Sequence, residues 1–95
     1  MNYQTIPYEI RRANLLLLIA TLDAGNQSAF ARRVGIAQTY IARLLYTYAK
    51  TGHKLLGEET ALKITLAVGL PYGGLDAPLT AKQLSALPTK AHPDR

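Results

Sequence analysis

The side chains able to recognise another molecule are bunched within residues 26–45, NQSAFARRVGIAQTYIARLL, and just beyond them. Thr39, Arg43, Tyr46 and Lys50 follow one another at helical spacing, and Gln38 stands beside Thr39 at the start of the row. Such a row offers donors, acceptors and a cation along one side of a helix. An arginine can pair bidentately with guanine O6 and N7, a glutamine with adenine N6 and N7, and a threonine can offer its methyl to thymine. Gln38, Thr39 and Arg43 are therefore the expected base readers. Tyr40 and Tyr46, outward or flanking, could place a phenolic hydroxyl on a phosphate. Lys50, His53 and Lys54 follow within and after the row and suit backbone phosphates, contacts that position a protein without specifying sequence.

Two short helices are needed to hold that row outward. Phe30, Ala31 and Val34 fall at helical spacing, Gly35 breaks the pattern, and Ile41, Leu44, Leu45 and Tyr48 resume it. A glycine adopts positive φ at little cost, so the chain can reverse at Gly35. Ala31 would let the two backbones approach closely, while Ile36, Ile41 and Leu44 close the wedge between them. The spacing predicts helices at about 27–34 and 38–48, with Asn26 capping the first through its side-chain oxygen. A helix-turn-helix of this kind can lay its second helix in the major groove.

Gln27, Ala31, Gly35, Ile41 and Leu44 together resemble the helix-turn-helix of lambda- and Cro-type phage repressors, within the small bacterial repressor domains. The likeness extends more weakly to about Pro78, with Thr65 where the family commonly has an acid and Gly74 where it commonly has an aromatic. The resemblance implies a lambda repressor-like domain that binds double-stranded DNA. It also implies that Gln27 and Gln38 hydrogen-bond to each other while one reads an adenine and the other a phosphate.

Composition is compatible with that reading. Ninety-five residues with 48% hydrophobic and 18% charged side chains describe one ordinary globular domain rather than a disordered chain. Cysteine is absent, which removes disulfides, thiolate chemistry and cysteine-ligated zinc. The apolar run Leu15 to Ile19 is too short for a membrane span, and no signal-peptide pattern follows Met1, so a cytoplasmic protein is expected. Net charge is +5. Its placement is more telling: no acid lies between Asp23 and Glu58, an interval holding Arg32, Arg33, Arg43, Lys50 and Lys54. A basic cluster can be no more than a solvated face, but here it coincides with the helix-turn-helix, and phosphate attraction is the main sequence-independent source of DNA affinity.

Along the rest of the chain, residues 1–7 read as an extended arm, with Pro7 marking the first turn of a helix at about 8–22. Ile10, Leu15, Leu18, Ile19 and Leu22 form its apolar stripe, with Glu9, Arg11 and Arg12 at the exposed end. The leucine run exceeds what one face requires, so other helices or a second subunit should cover it on more than one side. A helix at about 58–68 opens with two acids suited to the positive end of the helix dipole, and Gly69, Leu70 and Pro71 stop it. Its expected core side is Ala61, Ile64, Leu66 and Val68. Glu58 and Glu59 are neighbours that do not share a helix face, so capping is a better reading than a catalytic pair. The turn Tyr72 to Gly74 lacks a phosphate-loop lysine. Thr80 should cap a last short helix whose Ala81, Leu84 and Leu87 complete the monomer or meet a second copy, ahead of a frayed tail.

The sequence thus predicts an all-α bundle of about five helices, divided into a helix-turn-helix domain at 1–78 and a short helix with a flexible tail at 79–95. The expected function is sequence-specific DNA binding, as a phage or bacterial transcriptional repressor acting as a homodimer on a partly palindromic operator. An alternative is an interaction scaffold, such as an antitoxin-like module whose main ligand is a protein. No convergent set of His, Asp, Glu or Ser supports an enzyme, no cofactor is expected, and His53 and His92 without a carboxylate pattern do not make a metal site.

Overall fold

The computed structural model describes residues 6–46 and 55–88. Among the described residues five helices follow in order: α1 Ile6–Asp23, α2 Gln27–Val34, α3 Gln38–Leu44, α4 Glu58–Val68 and α5 Ala81–Ser85. The protein is an all-α bundle, and among the described residues no helix is long and apolar enough to cross a membrane. Tyr48, Lys50, His53 and Lys54 lie outside the described residues, as do the expected arm before Ile6 and the tail from Thr89.

Local chemistry sets the helix ends. Asn26 stands in extended backbone before α2, and its Oδ1 accepts from the Ala29 N–H at 2.9 Å. Gly35 closes α2 in the left-handed region at φ 72°, with its own N–H and that of Ile36 both donating to the Ala31 carbonyl at 2.9 and 3.1 Å. Two donors thereby satisfy a carbonyl that the ending helix would leave unpaired. Gly69 ends α4 in the same way at φ 88°, and Pro88 packs over it. Thr80 and Gln83 cap α5 reciprocally, each side chain bonded to the other's backbone N–H.

One core joins all of this. Leu15, Leu18, Ile19 and Leu22 from α1, Phe30, Ala31 and Val34 from α2, and Ile41 and Leu44 from α3 are buried against Leu56, Ile64 and Val68. Leu75, Leu79 and Leu87 belong to the same cluster, so the last segment folds back onto the monomer; Leu84 packs against the core while Ala81 is exposed. Leu15 and Leu18 are covered, but Leu16 and Leu17 remain 46% and 41% exposed.

Three expectations are corrected. Arg11, read as exposed, is buried: its Nε donates to Asp76 Oδ1 at 2.7 Å, its Nη1 to the Leu56 carbonyl at 2.8 Å, and its guanidinium lies 5.7 Å from the centre of the Tyr8 ring. It sits where the segments entering α4 and following it meet α1. Asn14, one turn further on, is also buried and bonds three backbone groups, donating to the Leu75 and Ala77 carbonyls and accepting from the Leu79 N–H. On α4, Leu66 is 67% exposed and Thr65 takes the inward place. Ala61, Ile64, Thr65 and Val68 keep helical register, and the Thr65 hydroxyl donates to the Ala61 carbonyl, which lets a polar side chain enter the core. The third correction is to the length of α3, which stops at Leu44: Leu45 and Tyr46 turn back with N–H donations to Ala42 and Arg43, three residues behind each.

Two substitutions test this framework. Asn14→Ala leaves a buried carbonyl, a part-buried carbonyl and a buried N–H without their partner and should cost about 2–4 kcal/mol, read as a lowered denaturant midpoint; an unchanged midpoint would remove the clamp. Gly35→Ala has room, since an added Cβ would meet only Lys63 Cε at 3.8 Å. Its expected cost of about 1–2 kcal/mol is therefore backbone strain from positive φ, and Gly35→Asn should recover part of it in the same assay.

Candidate nucleic-acid interface

The outward surface of the α2–α3 pair is built by register. Three residues after Gly35, α3 begins, and its Ile41 and Leu44 are 0% and 2% exposed against α2 and the core. That packing fixes the rotation of the helix. Gln38, Thr39 and Arg43 consequently stand on its exposed side. No hydrogen bond or ion pair within the described residues engages the side chains of Gln38, Thr39 or Arg43. Three polar side chains of different hydrogen-bonding character are thus presented together from a short helix with a packed back.

The flanking residues divide. Gln27, the first residue of α2, is half-buried, and among the described residues no hydrogen bond joins it to Gln38. Tyr40 is half-buried and packs against the core edge, which leaves less of its ring outward than a purely surface position would. Tyr46 is half-buried in the bend after α3 and has a partner. Ala31 is 4% exposed at the α2–α3 crossing, in keeping with a close backbone approach. Where Lys50, His53 and Lys54 would extend the surface, the described residues stop.

Charge is distributed less simply than its sequence clustering suggests. Arg33 is not an outward cation: its Nε donates to Asp23 Oδ2 at 2.9 Å and its Nη2 to Asp23 Oδ1 at 3.0 Å and to the Leu22 carbonyl at 3.2 Å. Both side chains are about 10% exposed. The hydrogen bonds to the Asp23 carboxylate raise the Arg33 pKa further above its ordinary value, against the opposing effect of burial. A raised pKa on a cation adds stability below its unfolded value and loses it only as pH climbs through the folded one, so this pair holds α1 to α2 throughout the neutral range. Arg32, one residue earlier, is exposed and among the described residues bonds only Ser28, at 3.4 Å. Arg12 spans Glu9 and the Leu45 carbonyl at 3.4 Å each, tying the end of α3 to α1. Of the three arginines in the basic cluster, Arg32 and Arg43 therefore stay out of any ion pair among the described residues. A sequence signal for the buried arginine did exist: Arg11 lies four residues before Leu15, on the same stripe.

Among the described residues no group of three or more His, Asp or Glu side chains is placed to hold a metal ion. No family model matches the chain, and no curated protein matches it. Among solved structures, the chain is similar to one from the Rep–Ant complex of a Salmonella temperate phage, at 32% identity and a TM-score of 0.63. The similarity covers 83% of this chain and 42% of that one, so the chain spans less than half the length of its structural neighbour.

Proposed function

We propose that the protein binds double-stranded DNA sequence-specifically, with α3 in the major groove, as a transcriptional repressor of phage or bacterial type. The observation that carries this reading is the split of α3 into a buried side, Ile41 and Leu44, and an exposed side bearing Gln38, Thr39 and Arg43, immediately after the left-handed turn at Gly35. The exposed side is polar, varied and free to form new bonds, which is what reading base edges requires. Arg43 would take guanine, Gln38 adenine, and Thr39 a thymine methyl or a phosphate. Gln27, Tyr40, Tyr46 and Arg32 would touch the backbone around them, with Lys50, His53 and Lys54 doing the same beyond the described residues. A phage protein as structural neighbour supports the setting. A homodimer on a partly palindromic operator would place two such helices about one turn of DNA apart.

A second reading has its own support. The neighbour was solved within a complex, and this chain exposes Leu16, Leu17, Leu62, Leu66 and Tyr72. A scaffold whose main ligand is a protein would use such apolar surface. The two readings differ in salt dependence, because association through phosphates weakens steeply with added salt and apolar association does not.

Selection of bound duplexes from a random pool, followed by affinity measurements on the selected site, tests the first reading. Arg43→Ala should cost about 1–3 kcal/mol of discrimination and relax preference at one base pair. Lys54→Ala should weaken every sequence alike. Failure to enrich any site, or equal behaviour of the two variants, would contradict the division into readers and positioners.

A further inference from the structure

Gly35 carries a neighbour that belongs to neither helix of the pair. A Cβ built at Gly35 would lie 3.8 Å from Cε of Lys63, so the end of the lysine side chain, its ammonium one bond further, comes up to the α2–α3 turn. Lys63 is on the exposed side of α4, a helix packed against α2. Glu59 stands four residues before it, at the spacing where a helix pairs opposite charges, yet among the described residues Lys63 enters no ion pair. The ion pairs there belong to Arg11, Arg12 and Arg33 instead. A cation thus reaches the turn, and among the described residues no ion pair neutralises it. The exposed Ala37, Gln38 and Thr39 follow Gly35 within the same turn and helix start.

We infer that Lys63 is a phosphate-positioning residue of the DNA interface, reaching the backbone beside the start of α3 from outside the helix-turn-helix. This rests on the DNA-binding reading and extends it to α4. A lysine in this place acts as a point charge, which adds affinity to every sequence and fixes how far α3 enters the groove without reading a base.

The experiment is a salt titration of binding to a mixed-sequence duplex by the intact chain, comparing wild type with Lys63→Ala, Lys63→Arg and Lys82→Ala. Lys82 is an exposed lysine on α5 and serves as the control for a general change in net charge. Each phosphate contact contributes about 0.9 to the slope of log affinity against log salt. Lys63→Ala should make that slope shallower by about 0.9, Lys63→Arg should restore it, and Lys82→Ala should leave it unchanged. A wild-type slope in Lys63→Ala, or an equal loss in Lys82→Ala, would overturn the role of Lys63 while leaving DNA binding intact. Absence of salt-dependent binding by the wild type would overturn the DNA reading and this inference with it.

Discussion

The Ala31 carbonyl accepts from two successive N–H groups, those of Gly35 and Ile36, and the arrangement of the recognition surface depends on that junction. The double acceptance is possible only because Gly35 takes a left-handed backbone, at φ 72°. It stops α2 with its last carbonyls partly satisfied and sends the chain off at a new angle within a few residues. Once α3 starts there, hydrophobic burial sets its rotation: Ile41 and Leu44 have one place to go, between α2 and the core. Gln38, Thr39 and Arg43 are outward as a consequence of the leucine and isoleucine being inward. The surface chemistry is thus a by-product of a packing constraint.

Around that junction the other elements act as braces, largely through polar groups in places that an apolar pattern does not anticipate. Asp23 and Arg33 tie α1 to α2 with a two-point carboxylate–guanidinium contact. Arg11 and Asn14 tie α1 to backbone on both sides of α4, reaching Leu56, Leu75, Ala77 and Leu79. These groups are buried but bonded, which avoids the penalty of an unpaired polar group in the core and orients segments that hydrophobic contact alone would leave free to slide. The exposed arginines differ in kind. Arg32 and Arg43 keep their charge available, while Arg33 does not, although the two members of the Arg32–Arg33 pair are adjacent in the chain.

Elements bounded by local chemistry were legible in the sequence. The α2 and α4 limits follow from Asn26, Gly35 and Gly69, each of which acts on backbone groups within a few residues of itself. The inward set Phe30, Ala31, Val34, Ile41 and Leu44 follows from periodicity. What was not legible depends on partners far away in the chain. Arg11 meets Asp76 and Leu56, and Asn14 meets the 75–79 segment, more than forty residues on in each case. Thr65 displaces Leu66 from the core because the register of Ala61, Ile64 and Val68 outranks side-chain hydropathy once the hydroxyl has the Ala61 carbonyl to bond. Arg33 looked like part of a basic cluster because Asp23 lies just outside it, and only the approach of α1 to α2 shows that their charges cancel.

The most direct test of the central claim is an amide and side-chain NMR titration of the intact chain with a duplex enriched by selection. The largest shifts should fall on Gln27, Gln38, Thr39 and Arg43, with Leu16 and Leu17 unmoved. Shifts concentrated on the exposed leucines of α1, with α3 unperturbed, would contradict it and move the binding surface away from α3.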